Sequence, residues 1–301
     1  MLLKSLMLIG AAALLSAGLA RYWLLGVLPR AVMTVGLVGA ACVALFSLLD
    51  VRATVLSVLP SADTALLVRY LRTTAHGEAV QVRIWLGLAL AALLALPSAR
   101  GGGVGVAFGV GALGLLATFS VISHAAAMGG WWPLASDLVH FVAAGAWAGG
   151  VFALALAPLW GRAERGTLEA ALRRMSALGL LTVLALTITG TVNALVHAGD
   201  ARAFLASGYV TALAVKLALV VITVALAALN RFVLLPGLLA GADASRIRTA
   251  VSVEAVLLVA VLVATGWLST TAVPHDMSSM GAGVDVIDNA AGVLRLLFGQ
   301  E

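Results

Sequence analysis

The stretch "DLVHFVAAGAWAGGVFAL", residues 137–154, carries one carboxylate and one imidazole near its start and nothing ionisable for the fourteen residues that follow. A run of this length approaches the roughly 20 residues a helix needs to cross a hydrocarbon core of about 30 Å. Polar groups at one end only place that end near a membrane surface and the remainder in lipid. Working outward, similar apolar blocks recur near residues 3–26, 31–49, 80–97, 101–125, 135–159, 175–198, 208–233 and 248–271. The expected fold is an all-α integral membrane protein, a polytopic bundle of about eight transmembrane helices. Residues 1–273 form the membrane domain and 274–301 an extramembrane tail.

Composition agrees. Charged residues make up 10% of the chain, against about 25% in an ordinary soluble domain, and 62% of residues are hydrophobic. The formal charge of +5 does not mark a nucleic-acid binder, because the arginines lie in short connections between apolar blocks and form no basic patch. The lone Cys42 excludes a disulfide framework and a cysteine metal knuckle. No Ser or Cys nucleophile has a visible positioned base, so no catalytic residue is assigned and an enzyme is not expected. The glycine-rich run "GGGVGVAFGVGALG" lacks the strand and lysine of a phosphate loop and reads as helix packing, as does "AAGAWAGG".

Between the second and third blocks, "VLPSADTALLVRYLRTTAHG" sets Leu66, Leu67, Tyr70 and Leu71 on one helical face and Arg69, Arg72 and His76 on another. This predicts an interfacial amphipathic helix, started by Pro60 and Ser61. The first block also resembles a secretory signal, with Lys4 before an apolar run ending "SAGLA". If it is a span, Arg21, Arg30, Arg100, Arg162, Arg165, Arg173, Arg174, Arg231, Arg246 and Arg248 share one face, which the positive-inside rule makes cytoplasmic. Both termini are then periplasmic. The one conflict is the group Arg52, Arg69, Arg72 and Arg83 around the amphipathic segment.

Counting spans puts all five histidines on a single face: His76 before the third span, His124 after the fourth, His140 a turn or so into the fifth, His197 at the end of the sixth and His275 beyond the eighth. Met128, Met277 and Met280 fall on the same face. The loop around Trp131 and Trp132 is thus expected to be an outer hairpin that brings two imidazoles together, its tryptophans forming an aromatic belt. His124, His140 and His197 are candidate ligands of one outer metal site, with Met128 beside them and His275, Met277 and Met280 of "PHDMSSM" as a capture arm. Each also has a plainer reading as an interfacial polar residue, and the tail as a linker. Asp137 either starts the helix or orients the imidazole of His140. Thr189, Asn193 and His197 form an i, i+4, i+8 stripe descending from the surface. Lys216 and Glu254 lie deeper and read as pathway groups or as a helix-locking ion pair.

Three blocks in order resemble the copper-resistance D (CopD) family of bacterial inner-membrane proteins. "DLVHFVAAGAWAGGVFAL" is similar to its D-x-x-H helix at Asp137, His140, Trp147, Gly149 and Gly150. "RRMSALGLLTVLALTITGTVNAL" is similar at Arg174, Ser176, Thr189, Gly190, Asn193 and Ala194. "GYVTALAVKLALVVITVALAALNRFVLLP" is similar at Gly208, Lys216, Leu217, Asn230, Arg231 and Pro236. The resemblance covers about residues 120–240 and implies an eight-span inner-membrane protein that moves copper, beside a separate periplasmic copper-binding partner of the copper-resistance C type. Imidazole suits both Cu(I) and Cu(II), and thioether sulfur favours Cu(I). The alternative is a haem-binding electron-transfer protein with paired axial histidines such as His140 and His197. A membrane scaffold without a ligand is a third reading.

Overall fold

The structure is a computed structural model, which describes residues 1–96, 102–123, 131–158, 165–197 and 208–271. Among these residues there is no strand. Ten helices follow in order: α1 (Leu2–Leu19, prolonged by a π-helical turn Ala20–Leu24), α2 (Arg30–Val58), α3 (Thr64–Thr73), α4 (Ala75–Ala95), α5 (Gly102–Ser120), α6 (Trp131–Leu156), α7 (Arg165–His197), α8 (Gly208–Leu229, prolonged by a π-helical turn Asn230–Leu234), α9 (Leu235–Leu239) and α10 (Ser245–Leu268). Eight segments are long and apolar enough to cross a membrane, with α9 completing the segment begun by α8. The protein is a multi-pass membrane protein. Lys4 Nζ donates to the Ser269 carbonyl at 3.3 Å, so α1 starts and α10 ends on one face, called here the N-terminal face.

Helix α1 is the axis of the bundle and packs on α2, α6 and α10. Small residues permit this. A Cβ added at Gly10 would stand 2.7 Å from the Gly39 carbonyl oxygen of α2, so only glycine allows those two backbones to approach so closely. Gly149 of α6 meets Leu15 and Ser16 of α1, and Gly150 meets Met175 of α7. The "AWAGG" run therefore serves two interfaces at once. Without a hydrophobic force between helices in lipid, such close packing is what holds spans together.

Helix α3 lies outside the set of spans. Its start differs from expectation: Asp63 is the N-cap, its Oδ1 accepting the Leu66 amide at 2.8 Å, while Pro60 and Ser61 stand one turn earlier. Leu66, Leu67, Tyr70 and Leu71 pack on Val51, Val55 and Val80 of α2 and α4, as the face pattern requires, and Arg69 and Arg72 are exposed. His76 does not belong to this helix. It sits in the first turn of α4, where Thr74 is the cap and accepts the Gly77 amide at 3.0 Å. The His76 ring lies 2.9 Å from the Tyr70 hydroxyl and 4.0 Å from Asp50, tying α3 to α2 and α4. Burial raises the Tyr70 phenol above its ordinary value.

Arg83 leaves the group of loop charges that complicated the orientation. It is 1% exposed, with Nε and an NH2 donated at 2.9 Å to the Thr118 hydroxyl and carbonyl of α5 and its guanidinium 3.9 Å from the Phe119 ring centroid. On the opposite face the arginines cap helix ends. Arg21 donates to the carbonyls of Leu93, Leu94 and Leu96, Arg174 to Trp23 and Leu24, and Arg165 to Leu238 and Ala242. A cation at the negative end of a helix is favourable, so these residues lock the bundle as well as biasing its orientation.

Candidate functional site

Trp131 and Trp132 are not in a loop. They open α6, with Trp131 82% exposed, and this lowers His140 into the bundle. Nine residues at 1.5 Å each put His140 about 13 Å from the start of its helix, deeper than the single turn expected from the sequence.

There α6 and α7 are joined by a polar ladder. Ser136 Oγ donates to Asn193 Oδ1 at 3.0 Å, and one turn further in His140 Nδ1 is 2.9 Å from Thr189 Oγ1. The rungs pair i with j and i+4 with j−4, the register of two antiparallel helices meeting along facing stripes. Thr189, 7% exposed, gives its only hydroxyl proton to the Ala185 carbonyl at 2.7 Å. With its proton so placed it accepts from His140, which in that arrangement carries its own proton on Nδ1. The lone pair is left on Nε2, the form of imidazole that binds a metal. The group that orients His140 through Nδ1 is thus Thr189, in the role the sequence suggested for Asp137. Thr189 itself was visible only as one member of the α7 stripe.

Lys216 arrives from α8 at matching depth, eight residues from the helix start, about 12 Å. It lies within electrostatic range of Asp137 and of His140. The carboxylate within electrostatic range of Lys216 is Asp137 of α6. Glu254 is held elsewhere: its Oε1 accepts from Trp147 Nε1 at 2.9 Å and its Oε2 from Asn230 Nδ2 at 2.8 Å. Trp147 follows His140 by seven residues on the same face of α6, about 10 Å toward the opposite side. The polar groups thus form two clusters separated by an apolar interval, where the sequence suggested one continuous track.

Most of the expected outer site falls outside the described residues. His197 ends α7, eight residues or about 12 Å along that helix from the level of Thr189 and His140, so the two histidines occupy different levels. The side chain of His197 and all of His124, Met128, His275, Met277 and Met280 lie outside the described residues. Among the described residues no three His, Cys, Asp or Glu side chains converge as a metal site. His76 stands apart, engaged with Tyr70 and Asp50.

Comparison with known proteins bears on the same helices. No curated protein and no solved structure matches the chain. The family model CopD, described as copper resistance protein D, matches residues 169–268, which is 268 − 169 + 1 = 100 of 301 residues. The matched segment takes in most of α7 and all of α8, α9 and α10, and therefore Thr189, Asn193, Lys216, Asn230 and Glu254; the Asp137–His140 block precedes it. Residues 169–268 are thus similar to the CopD family of copper-resistance proteins.

Proposed function

We propose that this protein moves copper across the bacterial inner membrane, taking it from the periplasmic side at the N-terminal face. The observation that carries the reading is the α6–α7 ladder, in which Thr189, inside the CopD match, leaves the Nε2 of His140 as a metal donor. Both termini are periplasmic in this reading, and the arginine-capped face is cytoplasmic. No catalytic residue is assigned.

Copper is the cargo. His124, His197 and His275, with Met128, Met277 and Met280, act near the surface, and His140 receives the ion about two to three turns further in. Donors at successive depths give a path instead of one tight sink. A cation path is blocked by an isolated positive charge, and the Asp137 carboxylate within electrostatic range of Lys216 offsets that barrier. Asn193 holds Ser136 at the entrance. The methionines bind through neutral sulfur and suit Cu(I), while the imidazoles take either oxidation state. A separate periplasmic protein of the copper-resistance C type would deliver the ion. The haem alternative gains nothing from the family match.

A competition titration of copper against the purified chain tests the binding half of the proposal. His140→Ala should weaken binding far more than His76→Ala, because His76 is spent on Tyr70 and Asp50. Equal affinities in the two variants would contradict the assignment.

A further inference from the structure

The cluster nearer the opposite face has no copper ligand in it and needs its own account. Glu254 is 5% exposed, and both of its oxygens accept from neutral donors, the Trp147 indole and the Asn230 amide. The cations on the surrounding helices are engaged elsewhere. Arg231, next to Asn230, donates to the Ser176 carbonyl and hydroxyl at 2.7 and 2.6 Å. Arg174 and Arg21 hold helix-end carbonyls, Arg165 pairs with Glu169 at 3.1 Å, and Lys216 lies within electrostatic range of Asp137. Lys4 on α1 binds Ser269 at the far end. Arg246 and Arg248, at the start of α10 itself, are exposed, as is Arg173 of α7.

A second observation concerns Asn230. Its Oδ1 is buried and has no hydrogen-bond partner among the described residues. A cavity of about 200 Å³ opens beside this pair, between α6, α7, α8 and α10, with walls that include Val151, Leu154, Val183, Val224 and Val251. A carboxylate with no cation beside it among the described residues is unfavourable in such a wall, and so is an acceptor without a donor. Both deficits are of one hydrogen.

The choice of occupant follows from the oxygen count. Hard cations take about six oxygen ligands, whereas Glu254 and Asn230 together offer three, two of which already accept hydrogen bonds. Copper prefers imidazole or thioether, and Met175 on the cavity wall is packed against Gly150. A proton needs a single lone pair and removes the uncompensated charge, and a turn of the Asn230 amide that exchanges Nδ2 for Oδ1 lets the new O–H donate to the amide oxygen.

We propose that Glu254, Asn230 and Trp147 form a proton-binding site, in which the Glu254 carboxylate takes up and releases one H⁺ by way of the cavity between α7 and α8. On uptake a carboxylate lone pair becomes the new O–H bond, and the site passes from charge −1 to 0; release reverses this. Trp147 and Asn230 bind the group in both states. The site is the place where proton movement couples to copper movement; that coupling rests on the transport reading, whereas protonation does not.

The test is infrared difference spectroscopy of the full chain in liposomes, without copper, across a pH titration. The parent should show a carboxylic-acid C=O stretching band that Glu254→Gln removes and Trp147→Phe displaces, since the indole bond is lost. A parent spectrum without that band, or a band unchanged in both variants, would overturn the proposal. If Glu254→Gln fails to fold, Trp147→Phe decides: an unmoved band overturns it. With copper added and a pH-sensitive dye inside the vesicles, ion entry should be accompanied by proton movement in the parent. Copper entry without it would overturn the coupling, while the infrared band in a protein that moves no copper would support the proton site and contradict the transport reading.

Discussion

Thr189 and His140 meet at 2.9 Å, and with the threonine proton given to Ala185 the hydroxyl accepts from the His140 Nδ1–H. One hydroxyl on α7 thereby decides which nitrogen on α6 is available to a metal. Thr189→Val keeps the shape of the side chain but removes the acceptor. Copper affinity should fall by about 10–100-fold, the usual cost of losing a partner that orients a ligand. Thr189→Ser should retain the parent value. Competition titrations of both variants check this, and an unchanged Thr189→Val would leave the bond a packing feature.

Asp137 and Lys216 should behave as a pair. Breaking a buried pair leaves one charge uncompensated, at a cost of about 3 kcal/mol or more, whereas removing both partners costs much less. Asp137→Asn should therefore lower thermal stability in detergent more than the Asp137→Asn/Lys216→Met double variant does. Equal losses would mean that the two charges do not depend on one another. Lys216→Met alone should alter the rate of copper movement while copper affinity stays near the parent value, and unchanged kinetics would make the lysine structural.

Thr118→Val removes the hydroxyl that Arg83 donates to at 2.9 Å. A hydrogen bond to a charged group contributes about 1.5–3 kcal/mol, and the arginine is too deeply buried to find water instead. Thermal denaturation in detergent should show a loss of about 2 kcal/mol, with copper affinity unaffected. No loss of stability would mean that the Thr118 carbonyl, the Met7 sulfur and the Phe119 ring suffice to hold Arg83.

Orientation is tested by labelling. In a Cys42→Ala background, cysteines at Ser61 and Ser245, both exposed and at the beginnings of α3 and α10, should react with a membrane-impermeant reagent from opposite sides. Only Ser61→Cys should label in intact cells. Labelling of both from outside would contradict the eight-span arrangement.

The spans were legible because hydropathy registers the lipid slab, and all eight emerge as helices. Their ends were not, because a helix continues past the slab wherever its backbone remains bonded. Thus α2 runs on through Asp50 and Arg52 to Val58, and α7 begins at Arg165, ten residues before its apolar block. The same extension made Trp131 and Trp132 helical and lowered His140. The α7 stripe could be read from its i, i+4 spacing, but its partners Ser136 and His140 could not, because pairing across helices depends on their register. Two readings failed for a shared reason: Arg83 looked like a loop charge, and Glu254 looked like a partner for Lys216. In both cases neutral groups on distant segments, Thr118 for one and Trp147 with Asn230 for the other, supply the contacts, and sequence separation hides such neighbours.

The central claim is that copper crosses the membrane by way of His140. The measurement that bears on it most directly is copper entry into sealed vesicles of known orientation, comparing the parent with His140→Ala and with His76→Ala as the control on the same face. Entry from the N-terminal face should be fast in the parent, nearly unchanged in His76→Ala and lost in His140→Ala. Equal entry in all three proteins, or none above protein-free vesicles in the parent, would contradict the account.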